Sequence, residues 1–193
     1  MLVLLFGTSC VGKTTLIKEL VKKHLFKYIT WYTTRPVRDG DLGRCCVSSK
    51  EFRLLESENR FMLINNSYGY LYGMPRDSIQ SSIKDEKYFI ADFRIKDVHL
   101  FDAIDCIKII VLPENEAQLI RQIHLADRFE REEAILTDYR ENLNSKRLKK
   151  YILHDCYVYV NIYDENNRNA NLLNNLIKQI KKDSLRKVQS TYY

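Results

Sequence analysis

Two clusters near the N-terminus have the residue types and spacing to hold phosphate. The first is Gly7-Thr8-Ser9-Cys10-Val11-Gly12-Lys13-Thr14: a glycine, four open positions, then Gly-Lys-Thr. Gly7 and Gly12 let the backbone fold tightly enough to aim N–H groups inward, and the helix start that follows adds a positive field for a polyphosphate. In this pattern Lys13 reaches the β/γ-phosphates and the Thr14 hydroxyl ligates Mg²⁺. Gly7, Ser9, Gly12, Lys13, Thr14 and Thr15 are therefore the candidate nucleotide-binding residues, with Lys13 also a catalytic candidate. The competing reading is a plain glycine turn before a core-packed helix. The second cluster is Thr33-Thr34-Arg35-Pro36-Val37-Arg38-Asp39-Gly40-Asp41. Arg35 and Arg38 can converge on one phosphate, because guanidinium forks take oxygens bidentately. Taken alone this is weak, since an arginine in a loop is usually just solvated.

Elements must carry these residues. Met1 to Phe6 is an apolar run of strand length, and Thr14 to His24 places Leu16, Ile17, Leu20 and Val21 at helical spacing, so the glycine loop has its strand and its helix. Tyr28 to Thr34 reads as a second strand. Cys45 to Ser48 reads as a short strand, Ser49 to Glu56 as a short helix beginning at a Ser cap, Phe61 to Asn65 as a strand, and Tyr68 to Gly73 as a hairpin or turn. Pro75 to Ile83 fits a helix with proline in its first turn. Tyr88 to Phe93 is a buried-strand run containing Asp92, where an acid could serve Mg²⁺ or its bound water, because ligands gather at the carboxyl ends of parallel strands. The alternative for Asp92 is a surface residue at a strand end. Lys96 to Ala103 predicts a short helix, Cys106 to Leu112 a strand stopped by Pro113, and Glu114 to Arg128 a helix. Asp127 to Glu133 is dense in charge with no apolar face. Ala134 to Leu148 predicts one amphipathic helix, Cys156 to Ile162 the last strand, and Leu172 to Ile180 a closing helix before a frayed tail from Ser184. The alternation implies an α/β fold with a parallel sheet flanked by helices.

The 193 residues suit a single domain with a sizeable core. The formal charge of +6 favours phosphate-bearing partners. Much of that excess lies at Lys146 to Lys150 and Lys178 to Lys187, which read as solvated helix faces, and no aromatic-basic platform for single strands is evident, so nucleic acid is not the expected partner. The five cysteines lack metal-ligand spacing and read as reduced thiols, and His24, His99, His124 and His154 as structural or exposed residues. No apolar run approaches membrane-spanning length and the apolar start lacks a basic leader, which places the expected location in the cytosol. A monomer or homodimer is expected.

The glycine loop, the Thr-Thr-Arg-Pro-x-Arg-x-Gly-Asp segment and the later Tyr72-Gly73 together resemble the guanylate kinase family, well over roughly the first half of the chain and in outline over the second. The resemblance implies a P-loop kinase that uses ATP and Mg²⁺ to phosphorylate a small phosphorylated acceptor. It implies a core of about 1–35 and 84–190, an acceptor-binding insert of about 36–83 and a lid of about 125–140. It places Arg35, Arg38 and Tyr72 on the acceptor's phosphate, and makes Arg128 the lid arginine, with Arg131 or Arg140 as a second. For Arg131 and Arg140 a solvated charged helix competes evenly.

The acceptor lobe departs from the family. Guanine is read there by a Ser before Thr-Thr-Arg, a Glu on a lobe strand and a Ser or Thr after Tyr-Gly, and the matching positions here are Trp31, Leu63 and Met74. A buried guanine edge without partners costs about 1–3 kcal/mol per unsatisfied group, so the expected acceptor is a nucleoside monophosphate with a non-standard base. Arg94 stands where the family has a second Asp, which also points to a changed acceptor and makes Arg94 and Trp31 candidate acceptor residues. Trp31 and Phe93 could stack on a base. Ribose 1,5-bisphosphate kinases are the alternative, because the segment from Arg35 to Glu51-Phe52 is similar in length to theirs. A non-catalytic guanylate kinase-like binding module is a further alternative, opposed by the intact Lys13-Thr14.

Overall fold

The computed structural model describes residues 1–22, 26–38, 41–67, 69–78, 88–154, 156–162, 172 and 175–183. Its strands are β1 (Leu2–Phe6), β2 (Lys27–Tyr28), β3 (Trp31–Thr33), β4 (Arg44–Cys46), β5 (Phe61–Ser67), β6 (Tyr70–Pro75), β7 (Phe89–Phe93), β8 (Ile107–Pro113) and β9 (Cys156–Asn161). The helices are α1 (Lys13–Lys22), α2 (Ser49–Ser57), α3 (Glu116–Leu125), α4 (Glu132–Asn144) and α5 (Lys146–His154), with 3-10 turns at Ile95–Phe101 and Phe129–Arg131. Residues 76–78 and 175–183 are also helical. One sheet has the order β2-β7-β1-β8-β9 and the other β4-β3-β6-β5. The architecture is the expected α/β one, a parallel sheet with flanking helices. The chain divides into two compact units, Met1–Leu2 with Ile17–Ala91, and Val3–Leu16 with Asp92–Tyr193.

Strand β1, which belongs to the second unit from Val3 on, is buried at every position and pairs in parallel with β8 from Val3↔Ile107 to Phe6↔Ile110. A parallel strand covered on both faces has to be an unbroken apolar run, which Leu2–Phe6 is. β9 continues the sheet from Lys108↔Cys156 to Pro113↔Asn161. Phe93 lies against Phe6 and Phe101, with ring centroids 5.6 and 4.4 Å away, so its ring belongs to this core and the expectation that it stacks on a base is corrected. Leu119 and Ile123 of α3 interlock with Ile135, Leu136 and Tyr139 of α4. Helix α3 is capped by Asn115, whose side chain accepts from the Gln118 N–H, satisfying a donor left open by the first turn. The buried Lys108 donates to Asp102 at 2.8 Å and lies over the Tyr151 ring, and the Tyr151 hydroxyl also donates to Asp102.

The first unit carries the mixed sheet. Helix α2 opens on a full capping box: the Ser48 hydroxyl accepts from the Glu51 N–H while the Glu51 carboxylate takes the Ser48 N–H. Its buried Phe52 stacks on Phe61, and Phe61 meets Tyr32. Gly73 is required beneath that ring, since a Cβ there would lie 2.6 Å from Phe61.

Two expectations of single elements are corrected. The run from Tyr28 to Thr34 is two strands in two different sheets: the Ile29 N–H goes to Ile90 O, and the Trp31 N–H to Gly43 O. The chain changes hydrogen-bonding partner across Thr30. The expected helix from Ala134 to Leu148 breaks at Ser145, which adopts extended dihedrals and supplies the carbonyl that receives the Lys149 N–H, so α5 starts as a separate helix. Residues 79–83 of the helix expected at Pro75 to Ile83, together with His24, Tyr68, Asp39, Gly40 and the tail from Ser184, lie outside the described residues. Among the described residues no helix is long and apolar enough to cross a membrane.

Candidate active site

The Gly7–Thr14 loop leaves β1 and enters α1, the setting its residues require. Cys10 and Gly12 take positive φ, 63° and 91°, the backbone form with which a tight loop can bring successive N–H groups to bear on an anion. At Gly7 a Cβ would stand 2.8 Å from both Val11 Cγ1 and the Val111 carbonyl oxygen, so only glycine lets the loop lie this close to β8. Lys13 Nζ folds back over the loop and donates to Gly7 O at 2.7 Å and Thr8 O at 2.8 Å. The ammonium is thereby held against the loop by two of its carbonyls. Thr14 and Thr15 are exposed in the first turn of α1, and Ser9 is half-buried.

The surrounding elements brace this loop. The Gly7 N–H donates to Phe93 O at 3.2 Å, which puts the end of β7, and Asp92 with it, beside the first glycine. Asn161, buried at the end of β9, donates its side-chain N–H to Val11 O at 3.0 Å. Thr8 Oγ1 donates to Asp138 of α4. Cys10 packs against the α3–α4 cluster, and Arg128 stands close enough for its charge to act on the Cys10 thiol. Burial pushes the Cys10 thiol above its ordinary pKa, with Arg128 and Lys13 pulling the other way.

Of the lid candidates, the structure brings Arg128 to the loop. Arg140 is bound bidentately to Glu116 on α3, at 2.9 and 2.6 Å, which commits its guanidinium elsewhere. Arg131 lies 3.4 Å from Glu130. Arg94 faces Asp97, 3.8 Å away, at the start of the 3-10 turn. Burial raises the Asp97 carboxyl above the usual carboxylate range, and the charge of Arg94 opposes this.

In the first unit the second cluster is also assembled. Arg35 Nη2 donates to Asp41 Oδ2 at 2.7 Å, and the same carboxylate takes the Arg38 backbone N–H at 2.8 Å. The Arg35 N–H goes to Thr33 Oγ1, and Thr34 exchanges hydrogen bonds with the Leu71 backbone. Register then sets Tyr72 opposite Thr33, one residue from this anchor. Trp31 is 4% exposed with the Arg44 guanidinium 5.8 Å above its ring, Met74 is fully buried and Leu63 half-buried.

Sequence reasoning did not single out Asp41, Asp138 or Asn161 as functional. Asp41 had a readable signal, an acid three residues after Arg38. Asp138 looks like any polar position on an amphipathic helix, and Asn161 like any strand end.

Among the described residues no group of three or more His, Cys, Asp or Glu side chains could cage a metal ion. A hard cation carried in on phosphates needs no such cage, since Mg²⁺ keeps most of its shell from water and substrate.

Comparison with known proteins bears on family and fold. Residues 1–138 match the family model described as guanylate kinase. A guanylate kinase of Schizosaccharomyces pombe is 33% identical over 142 residues, 69% of each chain. One of Nostoc sp. is 27% identical over 128 residues, 63% of this chain and 64% of its own length, so the matched part spans slightly less than two thirds of that relative. The crystal structure of guanylate kinase from Anaplasma phagocytophilum superposes with a TM-score of 0.64 at 18% identity, covering 93% of this chain and 85% of that one, a likeness of fold. The family model takes in well over half of the 193 residues, and the glycine loop it begins with is fully built here: the chain belongs to the guanylate kinase family.

Proposed function

We propose that the chain is an ATP-dependent nucleoside monophosphate kinase with a base preference other than guanine. The observation that carries this reading is Lys13, held by two loop carbonyls at the mouth of α1, inside a loop whose first glycine, Gly7, admits no side chain. A non-catalytic binding module has no need for that lysine and the hydroxyl after it.

In the reaction an oxygen of the acceptor's phosphate attacks the γ-phosphorus of ATP, the bond to the β–γ bridging oxygen breaks, and ADP leaves with that electron pair. No protein nucleophile is needed, so the protein's part is positioning and charge stabilisation. Lys13 and the loop N–H groups hold the donor's phosphates, and Gly7, Ser9, Gly12, Thr14 and Thr15 complete the cradle. Arg128, already on the loop, meets charge developing on the transferred group, as the lid of residues about 125–140 would require. Thr14 and Asp92 would hold Mg²⁺, which supplies neutralisation of phosphate charge. Arg35, Arg38 and Tyr72 hold the acceptor's phosphate, and Arg94 is a further candidate for the acceptor.

The base preference is supported by side chains that offer guanine little. Met74 is sealed from solvent, Leu63 is apolar, and the Trp31 ring carries Arg44 rather than standing open. The test is a thermal-shift and transfer screen with ATP, Mg²⁺ and a panel of nucleoside monophosphates plus ribose 1,5-bisphosphate. Transfer to a monophosphate other than GMP is expected. GMP as the best acceptor would overturn the base preference, ribose 1,5-bisphosphate as sole acceptor would overturn the acceptor class, and no transfer to any of them would overturn the kinase reading.

A further inference from the structure

One bond between the glycine loop and helix α4 has no place in ordinary phosphate holding. Thr8 Oγ1, in a residue only 1% exposed, donates to Asp138 Oδ2. The same Thr8 gives its carbonyl oxygen to Lys13 Nζ. These linked contacts keep the Asp138 carboxylate within roughly 9 Å of the Lys13 ammonium, a bound set by ordinary bond and hydrogen-bond lengths. A negative charge thus stands beside a cradle where the helix start, Lys13 and Arg128 all gather anions. It cannot drift off with its helix, because Ile135, Leu136 and Tyr139 on either side of it lock α4 to α3. Asn142, one turn on, donates its side-chain N–H to the Asp138 carbonyl.

We propose that Asp138 is a positioning residue of the nucleotide cradle with two opposed effects. Through Thr8 it fixes the loop in the conformation that presents Lys13. Through its charge it weakens the hold on phosphates and so speeds release of the product nucleotide. This inference rests on the kinase reading given above. A phosphate oxygen held by Lys13 adds about 3 Å to that bound, and like charges within roughly 12 Å, partly shielded from water, repel enough to change affinity by about tenfold, while a bound nucleotide carries several. Release of product limits turnover in many enzymes, so a weaker hold can raise kcat.

The two effects separate in two variants. Asp138→Asn keeps an oxygen for the Thr8 hydroxyl and removes the charge; Thr8→Val removes the bond and keeps the charge. Titration calorimetry of the full chain with ADP, and with ATP in the presence of Mg²⁺, reads both. Asp138→Asn should bind ADP about tenfold tighter at low salt, with the gain shrinking toward about 1 M salt. In turnover its KM for ATP and its kcat should both fall. Thr8→Val should bind several-fold more weakly. A residue with only a structural role would weaken binding in both variants, so the opposite signs are the diagnostic. Should Asp138→Asn fail to fold by circular dichroism, Asp138→Ser, also neutral and able to accept the hydroxyl, carries the same expectation. Equal or weaker ADP binding by the folded neutral variant overturns the inference. Weaker binding confined to ATP with Mg²⁺ also overturns it, by giving the carboxylate to the metal instead. A wild-type chain that binds neither nucleotide overturns the kinase reading and the inference together, whereas a wild type that binds alongside an unchanged Asp138→Asn overturns the inference alone.

Discussion

Arg35 is held by Asp41: its Nη2 lies 2.7 Å from the carboxylate, and that same oxygen receives the Arg38 backbone N–H. One acid therefore sets the direction of the first arginine and the start of the second. The Arg35 side chain is 9% exposed and that of Asp41 19%, so Asp41→Ala leaves a guanidinium nearly buried and short of its counter-charge. The expected loss is about 1–3 kcal/mol, below the full buried-pair value because water still reaches the acid. Urea denaturation measures it, and the KM for the acceptor should rise more than that for ATP. An unchanged midpoint with unchanged KM values would remove Asp41 from the account.

Arg35→Ala and Arg38→Ala each delete a charge-assisted contact worth about 1.5–3 kcal/mol, which is roughly ten- to 150-fold in acceptor affinity. ATP binding should stay within about twofold of wild type, well below the tenfold step that 1.4 kcal/mol makes. Equal losses for donor and acceptor, read by steady-state kinetics with each varied in turn, would mean that the two phosphate sites have been wrongly distinguished.

Gly7→Ala and Gly73→Ala should fail in different ways. At Gly7 the new Cβ meets the backbone oxygen of Val111, which cannot move aside without shifting β8, so nucleotide binding should be lost. At Gly73 it meets the Phe61 ring, which can move only by disturbing its stack on the buried Phe52. Overpacking of that kind costs about 1–3 kcal/mol. Gly73→Ala should therefore lower the melting temperature while ATP binding persists. Loss of ATP binding in Gly73→Ala, or its retention in Gly7→Ala, would contradict this division.

Asp102 gives a prediction in pH. Hydrogen bonds from Lys108 and Tyr151 hold its carboxyl below the usual carboxylate range. A depressed folded-state pKa adds stability above the unfolded-state value, and that increment is lost as pH falls through the folded one. Asp102→Asn should melt below wild type at neutral pH, with the gap closing as the medium is taken to strongly acid pH. A gap that stays constant across that range would assign the effect to packing rather than charge.

The parts of the site that were legible in the sequence are those where residue type is dictated locally. Gly7, Gly12, Lys13 and Thr14 each answer one demand of the phosphate loop, and Ser48 with Glu51 spells out its cap in four residues. The strand change at Thr30 was not legible, because β-branched and aromatic residues suit both sheets and the partners, Ile90 and Gly43, come from elsewhere in the chain. The break at Ser145 was hidden by an apolar period that runs on through it. Arg140 resembled a lid arginine until Glu116, twenty-four residues earlier, took its guanidinium. The Thr8–Asp138 bond spans 130 residues, and no local pattern marks either end of it.

The most direct test of the central claim follows the γ-phosphoryl group itself. ATP labelled in that group is incubated with Mg²⁺, the panel of monophosphates, and either wild type or Lys13→Ala, with circular dichroism confirming that the variant is folded. The account predicts a labelled diphosphate product with wild type and none above background with Lys13→Ala. Absence of transfer by wild type to every acceptor, or equal transfer by the folded variant, would contradict it.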